Sequence, residues 1–562
     1  MSLAAEVELI GMLVALGLAE FARRRRTWPL VGFWVAMSLL ATWIMAGLWL
    51  TLPLAVGLCW LSWSRWQHRT GQSTVARWRR ISARNDGMAG RWQLLRHTSP
   101  WAIRRQASTL RPTFKALTRW ERWRVPITEY ALPLTRVGWW RMWLSVEEMV
   151  VQFGRPRRGK TGQLIHWVLD APGALIVTST KVDLYYLTRF FRSRRGSVWI
   201  FNPTQIGKLV STIAFNPLVG CEDPETAEER AIDLISGGAE RSHGEGRRWD
   251  QQAQRVLTGL LHAAALGGHS MTDVLVWVAD PDAAARKVMA LMRCSPAAAA
   301  FVPSAEQFCG TNSRTRTSVT FTIMPALEWL TNSKATAATQ GATQFDVETF
   351  LAEKATLYLM ARRDSRMGPL LSALTGYIAR EARRIAAERP GGRLDPILRL
   401  VLDEAANICP VPLDEWSSDF GSHGLQLCPT FQSYQQVVDR WGHSGAGTIA
   451  NNTGALVLHA TGLAREDLDR YVALSGFRID HEGRRVPVLS VDQLMNLPKG
   501  TTVVWGPDTP LTIGRMRPGW HRRDLREANH LEGIQTQKLV AAMEDELDQA
   551  ERDDVQVLTG DR

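Results

Sequence analysis

The sequence predicts an α/β protein with a parallel sheet, an all-α insertion and an N-terminal transmembrane helical hairpin. Three observations support this: short apolar runs that alternate with helical segments, an Ala- and Leu-rich region from about residue 222 to 340, and an uncharged stretch near the N-terminus. Alternating strands and helices are typical of a parallel sheet. At 562 residues the chain is too long for one hydrophobic core, so several domains are expected.

The uncharged stretch runs from Trp28 to Trp63 and contains 36 residues. As one helix it would be about 54 Å long, whereas the hydrocarbon core of a bilayer is about 30 Å thick, so a hairpin of two spans fits better. Arginines at 23–26 and from Arg65 onward flank it, which predicts that both ends stay in the cytoplasm. Residues 3–21 are a weaker candidate for another span. We therefore predict a multi-pass protein of the inner or plasma membrane, anchored by residues 1–64.

Positive charge is concentrated directly after this stretch. From Arg65 to Arg141 there are 17 Lys and Arg residues against three acidic residues, while the whole chain has a net charge of +12. Fifteen of the 24 tryptophans lie between Trp28 and Trp143. Two interpretations of this juxtamembrane segment, residues 65–144, stay open: adhesion to an anionic membrane surface, and contact with nucleic-acid phosphates.

Cysteine and histidine spacing argues against a dedicated metal site. The six cysteines are scattered and form no C-x-x-C pair, which also argues against a disulfide scaffold and suits a reducing compartment. The 12 histidines show no metal-ligand spacing. Any metal is therefore expected to be Mg²⁺ that arrives with a nucleotide.

A glycine-rich motif follows the first apolar run after the basic segment. Residues 154–161 read G-R-P-R-R-G-K-T and fit G-x-x-x-x-G-K-[ST]. In such a loop the backbone N–H groups face phosphates, the lysine adds a point charge, and the Ser or Thr hydroxyl binds Mg²⁺. The predicted nucleotide-binding residues are Gly154, Arg155, Pro156, Arg157, Arg158, Gly159, Lys160 and Thr161.

Arg157 stands where many such loops carry a further glycine, because positive φ is often needed there. Either the loop avoids positive φ at this residue, or the arginine is held there under strain. We expect this departure to affect the rate of turnover more than the binding of nucleotide.

A second motif is an apolar run, Leu400–Leu402, that ends in two carboxylates. We predict that Asp403 holds Mg²⁺ together with Thr161, and that Glu404 polarises the attacking water. Lys160 and Glu404 are therefore predicted catalytic residues, and ATP and Mg²⁺ are the expected cofactors.

The order of the elements predicts a RecA-like P-loop NTPase sheet interrupted by the insertion. Strands are predicted near 149–153, 174–178 and 198–201 and, after the insertion, near 356–360, 399–403, 425–431, 455–460 and 501–505. We assign residues 145–221 and 341–520 to the nucleotide-binding domain and residues 222–340 to the all-α insertion. Residues 521–562 are assigned to a C-terminal helix with an acidic tail.

This order of parts resembles the type IV coupling proteins of the TraG/TraD type, FtsK/HerA-like ATPases of conjugation and type IV secretion, and above all their actinobacterial branch. The resemblance covers roughly residues 145–515. The motifs that carry it are 154–161, T-K-V-D-L at 180–184, V-W-I-F-N-P-T at 198–204, R-T-R-T-S-V at 314–319, L-D-E-A-A-N-I-C-P-V-P at 402–412, F-Q-S at 431–433 and I-A-N-N-T at 449–453.

The resemblance implies that Gln432 senses the γ-phosphate and is a third catalytic residue. It also implies a TraM recognition domain, a homo-hexamer, DNA with a bound relaxase as the substrate, and contacts with inner-membrane components of a secretion channel. Many members carry an arginine before the strand that ends in the glutamine, where it reaches a neighbouring subunit's nucleotide. Residues 419–424 contain no arginine, and Arg465 or Arg363 could substitute for it.

Three functions stay open at this point. The leading one is a membrane-anchored ATPase that couples ATP hydrolysis to DNA transfer through a conjugative or type IV secretion system. The alternatives are a protein-secretion ATPase of related fold and a docking platform that binds nucleotide with little turnover. The unusual loop and the missing arginine favour the platform slightly.

Overall fold

The computed structural model describes residues 87–238, 246–296, 298, 301–310, 313–341, 344–363, 366–459, 464–480, 482–498 and 500–526. The predicted hairpin 28–63, the possible span 3–21 and the acidic tail lie outside the described residues. Within the described ranges, no helix has both the length and the apolar character needed to cross a membrane. All described residues belong to one compact unit, Asn85–Arg562.

The described strands form one large sheet and one small hairpin. Their bounds are β1 Ala131–Val137, β2 Trp140–Ser145, β3 Met149–Gly154, β4 Leu175–Ser179, β5 Val198–Phe201, β6 Thr356–Met360, β7 Leu398–Leu402, β8 Leu425–Phe431, β9 Thr453–His459, β10 Phe477–Ile479, β11 Arg485–Pro487, β12 Thr501–Gly506 and β13 Thr509–Arg515. The large sheet has 11 strands in the order β2-β1-β13-β12-β9-β3-β8-β7-β4-β6-β5, and β10 pairs with β11.

The strands from β9 to β5 in this order run parallel, which confirms the predicted parallel sheet. Strands such as β4 and β7 are buried along their whole length, because helices cover both faces of a parallel sheet. Strands β12 and β13 extend the sheet in antiparallel fashion, and β1 joins β13 through the pair Arg136–Arg515. The last part of the basic segment, from residue 131 to residue 144, therefore belongs to the sheet.

Helices occupy most of the remaining described chain. The α-helices are Arg91–Thr98, Pro100–Arg104, Ala107–Leu110, Arg119–Arg124, Lys160–Leu169, Asp183–Ser193, Pro224–Gly238, Gly246–Leu266, Met271–Ala279, Pro281–Arg293, Val302–Gly310, Ser313–Leu327, Ser333–Thr339, Val347–Ala352, Gly368–Glu388, Ala405–Ile408, Leu413–Asp419, Tyr434–Asn451, Arg465–Ser475 and Val491–Met495. Short 3₁₀ helices are Pro112–Ala116, Ile127–Glu129, Ile206–Lys208, Glu328–Thr331 and Gly519–His521.

The helices between β5 and β6 form the insertion, which packs on the sheet domain through one long helix, Gly368–Glu388. Buried Asp233, on the helix Pro224–Gly238, accepts a hydrogen bond from Arg380 Nη2 over 2.7 Å. A Cβ on Gly376 would lie 2.1 Å from a carboxylate oxygen of Asp233, so only glycine permits this close approach. The ion pair and the glycine together fix the insertion against the helix that follows β6.

The helix that follows β3 is held by polar contacts inside the core. Trp167 is fully buried, and its indole N–H donates to the carbonyl of Pro133 over 2.9 Å. Gln163 donates to the same carbonyl over 2.8 Å. Arg399 of β7, also buried, donates to the carbonyl of Trp167 over 2.8 Å. These contacts lock the helix Lys160–Leu169 in place, and with it the loop at its N-terminus.

Candidate functional site

Three neighbouring strands bring the predicted site residues to one edge of the sheet. In the order β3-β8-β7 the three strands are parallel, so their carboxyl ends lie side by side. The glycine-rich loop follows β3, Gln432 follows β8, and Asp403 and Glu404 follow β7. Residues that are far apart in the chain therefore meet at this edge, which we call the nucleotide edge.

At Arg157 the loop adopts a backbone conformation that is costly for a residue other than glycine. Gly159 has φ +91° and Arg157 has φ +64°, so the arginine is in the left-handed region. Of the two alternatives for this loop, the structure therefore shows the strained one, at a cost of about 1–2 kcal/mol. At Gly154 a Cβ would lie 2.8 Å from the Cβ of His459, so that position has no room for a side chain.

Lys160 is buried and lies between the three strand ends. Its Nζ donates to the carbonyl of Phe431 over 3.4 Å. Burial lowers the pKa of Lys160, and the charges of Asp403 and Glu404 oppose that shift. Gly159 gives the helix Lys160–Leu169 no side-chain cap, so the first N–H groups of the helix are available to an anion. A buried ammonium beside an uncapped helix N-terminus fits a phosphate group.

The two carboxylates after β7 differ in their surroundings. Burial raises the pKa of Asp403 to about 6, against the opposing charge of Lys160, and its backbone carbonyl accepts a hydrogen bond of 2.8 Å from Thr178 Oγ1. Glu404 has φ +50° and accepts hydrogen bonds from Gln432 Nε2 over 3.2 Å and from Asn407 Nδ2 over 3.3 Å. The structure thus joins two of the predicted catalytic residues, Glu404 and Gln432, by a direct hydrogen bond.

Thr161 lies in the first turn of the helix, next to Lys160, and is partly exposed. Its hydroxyl and the carboxylate of Asp403 are both oxygen donors, the type that Mg²⁺ prefers. Among the described residues no group of three or more His, Cys, Asp or Glu side chains is arranged to hold a metal. A Mg²⁺ ion that shares its shell with substrate phosphates needs only one or two protein ligands, so this donor set fits it.

A buried polar pair beneath the loop was not predicted from the sequence. Gln152 of β3 lies with its Nε2 2.6 Å from Nε2 of His459, at the end of β9, and 3.4 Å from the carbonyl of Lys160. Burial, together with the charge of Lys160, lowers the pKa of His459 to about 3, so the imidazole is neutral and accepts from the amide. The feature of the sequence that could have indicated this pair is a histidine at the end of an apolar strand.

The two arginines predicted as substitutes for the missing one follow different strands, Arg465 after β9 and Arg363 after β6. Arg465 is exposed at the start of its helix. Arg363 follows β6 and lines a cavity of about 160 Å³ with Arg362, Arg366, Arg440 and Asn407, beside residues of the insertion. The donor to Glu404, Asn407, therefore connects this arginine-lined cavity to the nucleotide edge.

One segment of the chain matches a known family model. The family model TraG-D_C, described as the TraM recognition site of TraD and TraG, matches residues 397–478. Residues 397–478 of this chain are therefore similar to the TraM recognition site of coupling proteins of the TraG/TraD type. Among curated proteins, none matches the chain.

Solved structures of a plasmid coupling protein share the fold of this chain. TrwB in complex with the ATP analogue ADPNP matches with a TM-score of 0.52 and 19% identity, over 66% of this chain and 86% of that one. TrwB with the GTP analogue GDPNP matches with a TM-score of 0.51, 19% identity and the same coverage. TrwB with ADP and Mg²⁺ matches with a TM-score of 0.51 and 18% identity, over 66% and 85% of the two chains.

The matched family segment covers only part of the nucleotide edge. Residues 397–478 include Asp403, Glu404 and Gln432, and they end within the hairpin strand β10. The glycine-rich loop 154–161 lies outside the segment. The family match thus overlaps the carboxylates and the glutamine of the nucleotide edge, whereas the loop rests on its motif and its geometry.

Proposed function

We propose that this chain is a type IV coupling protein of the TraG/TraD type, a membrane-anchored ATPase that couples ATP hydrolysis to the transfer of DNA nucleoprotein through a conjugative or type IV secretion system. The observation that carries the proposal is the convergence at the nucleotide edge. A buried lysine, an uncapped helix N-terminus, two carboxylates and a glutamine meet there at the ends of three adjacent parallel strands.

In this proposal each side chain has a defined task. The N–H groups of residues 154–161 and the ammonium of Lys160 bind the phosphates, while Thr161 and Asp403 hold Mg²⁺, which when bound neutralises phosphate charge. Glu404 orients the attacking water and accepts its proton. Gln432 donates to Glu404 over 3.2 Å, so it keeps the carboxylate aimed and can report the state of the γ-phosphate to β8.

Nucleotide and Mg²⁺ binding by this chain is supported by its likeness to TrwB, which was solved in complex with ADPNP, with GDPNP, and with ADP and Mg²⁺. The donor set at the nucleotide edge independently fits the same groups. We include ATP and Mg²⁺ in the proposal on both grounds.

The proposed partners, assembly and location rest on the matched family segment and on the uncharged stretch near the N-terminus. The match to the TraM recognition site of TraD and TraG supports a relaxosome partner, DNA with its bound relaxase, together with inner-membrane components of the secretion channel. A homo-hexamer would place a neighbour's arginine near each nucleotide, and Arg363 and Arg465 remain its candidates. The uncharged stretch 28–63 supports an anchor in the inner membrane with the ATPase domain in the cytoplasm.

Two observations favour a second candidate, a docking platform with little turnover. Arg157 is held at φ +64° in the loop, and residues 419–424 supply no arginine. In this alternative, both features would slow hydrolysis and leave nucleotide binding intact. A protein-secretion ATPase of related fold is the remaining alternative.

Hydrolysis measured on the full chain in detergent, with and without DNA, tests the proposal. We expect DNA to stimulate turnover by the wild-type chain, and we expect Glu404→Gln to lower turnover by about 10²–10⁴-fold in both conditions. Glu353→Gln, an exposed carboxylate distant in sequence from the motifs, is the matched control and keeps the wild-type rate. Turnover that DNA does not change would favour protein secretion, whereas tight nucleotide binding without turnover would favour the platform.

A further inference from the structure

Exposed tryptophans are concentrated in the segment that enters the sheet domain. Trp101 is 51% exposed, Trp120 67% and Trp123 51%, and the same segment exposes Trp92, Trp139 and Trp140. Burying an indole ring is strongly favourable, so soluble surfaces rarely present several of them together. Exposure on this scale therefore indicates a surface that has a partner.

The exposure does not come from a poorly formed core. Ile103, Tyr130 and Trp143 of the same segment are buried in one apolar cluster with Ile397, which precedes β7. The helices Arg91–Thr98 and Pro100–Arg104 pack on β2. Some aromatic residues of this segment thus lie in the core, and others lie on the surface.

Two short helices join three of the exposed rings into one cluster. Arg104 donates through Nε to Tyr130 Oη over 2.7 Å and through Nη2 to the carbonyl of Val125 over 3.3 Å, so the helix that ends at Arg104 is tied to the chain after the helix Arg119–Arg124. The guanidinium of Arg104 also lies 4.9 Å from the ring centre of Trp123. The cluster contains Trp101, Trp120, Trp123, Arg104, Arg105 and Arg124.

Each ring of the cluster carries a guanidinium. Besides the Arg104–Trp123 contact, Arg105 lies 3.6 Å from the ring centre of Trp101, and Arg124 lies 5.1 Å from that of Trp120. The acidic residue among them, Glu121, accepts hydrogen bonds from the backbone N–H and the hydroxyl of Thr118, where it caps its own helix. The cluster therefore presents apolar rings and positive charge together.

This combination matches the chemistry of a membrane interface. Indole rings prefer the headgroup level of a bilayer, and basic side chains next to them are attracted to anionic lipid. Only residues 64–86 separate the described segment from the uncharged stretch 28–63 in the chain. We propose that the tryptophan–arginine cluster docks on the headgroups of an anionic bilayer. The docking is a property of the surface and does not depend on ATP hydrolysis.

Oxidative footprinting of the full chain in nanodiscs tests this directly, because it reports on individual tryptophans. Nanodiscs of phosphatidylcholine alone are compared with nanodiscs that also contain phosphatidylglycerol. We expect Trp101, Trp120 and Trp123 to be protected only with the anionic lipid. Trp249 and Phe321, which are 36% and 72% exposed on the insertion, serve as internal controls and stay equally reactive.

A charge-deleted variant sharpens the test. Arg105 and Arg124 are exposed, so Arg105→Gln with Arg124→Gln leaves the fold intact. At about 1 kcal/mol for each basic residue at an anionic surface, the ratio of protected to reactive Trp120 falls about thirtyfold. Arg293→Gln with Arg383→Gln removes two other exposed arginines and leaves the ratio unchanged.

Three outcomes would overturn the inference. Equal protection in both kinds of nanodisc would mean that lipid charge plays no part. Protection already present in detergent would assign the cluster to contacts between subunits, and protection by added DNA but not by lipid would assign it to nucleic acid. In each case, ATPase activity measured in parallel tests the proposed function independently of the footprinting result.

Discussion

The nucleotide edge and the tryptophan–arginine cluster differ in how their side chains are arranged on the fold. At the nucleotide edge, Lys160 and Gln432 lie within hydrogen-bond distance of fixed partners, and the strand order dictates their positions. In the cluster, the rings are exposed and guanidinium groups lie over them. Precise geometry at the edge suits a reaction, whereas a broad surface suits adhesion. Single substitutions should therefore have large effects at the edge and small ones in the cluster.

The largest expected effect is at Glu404. Glu404→Gln removes the proton acceptor but keeps the shape of the side chain and its contact with Gln432, so kcat should fall by about 10²–10⁴-fold while nucleotide binding persists. Steady-state hydrolysis and binding of a fluorescent nucleotide measure the two properties separately. A variant with the wild-type rate would show that the second motif has been assigned incorrectly.

The next effect contrasts two tryptophans. Trp167→Ala empties a fully buried site and removes the donor to Pro133, so it should lower the free energy of unfolding by about 3–5 kcal/mol. Trp92→Ala, at a ring that is 84% exposed, should change it by no more than about 0.5 kcal/mol. Denaturant unfolding monitored by circular dichroism compares them. Similar losses for both would mean that Trp92 is buried in the protein as it exists in solution.

Lys160→Ala should weaken nucleotide binding about 10- to 100-fold, because hydrogen bonds to a charged group are worth about 1.5–3 kcal/mol. Titration calorimetry with an ATP analogue and Mg²⁺ measures the change in Kd. Lys334→Ala, at an exposed lysine of the insertion, is the control and should bind normally. Equal affinity of the Lys160 variant would place the phosphates elsewhere.

The smallest effect is expected in the loop. Arg157→Gly relieves positive φ, and after the entropy cost of glycine it should raise the free energy of unfolding by about 0.5 kcal/mol. Arg155→Gly, at a neighbouring exposed arginine without positive φ, incurs that entropy cost alone and should lower it by a similar amount. Thermal unfolding of the two variants side by side gives the sign of each change in the free energy of unfolding. A loss of stability in both would show that the strain at Arg157 is absent in solution.

The sequence was most informative where local motifs carry the geometry. The loop 154–161, the carboxylates at 403–404 and the strands that precede them are near the predicted positions, because a strand, a tight turn and a helix follow from neighbouring residues. The parallel order also followed from the alternation of elements. These features depend on short stretches of chain.

Contacts between distant residues could not be predicted in this way. The contact between Gln152 and His459 exists only because β3 pairs with β9, and no local pattern reports that pairing. The strands β1 and β2 were not predicted, because their arginines and tryptophans indicated a basic surface segment. The helix Gly368–Glu388, on which the insertion docks, was likewise not predicted, since its role depends on Asp233 in another part of the chain.

A structure of the full chain with a non-hydrolysable ATP analogue and Mg²⁺ tests the central claim most directly. We predict that the phosphates lie against the N–H groups of residues 154–161 beside Lys160, that Mg²⁺ contacts Thr161 and Asp403, and that Glu404 and Gln432 face the γ-phosphate. A nucleotide bound elsewhere, or phosphates out of reach of Lys160 and Asp403, would contradict the account of the nucleotide edge.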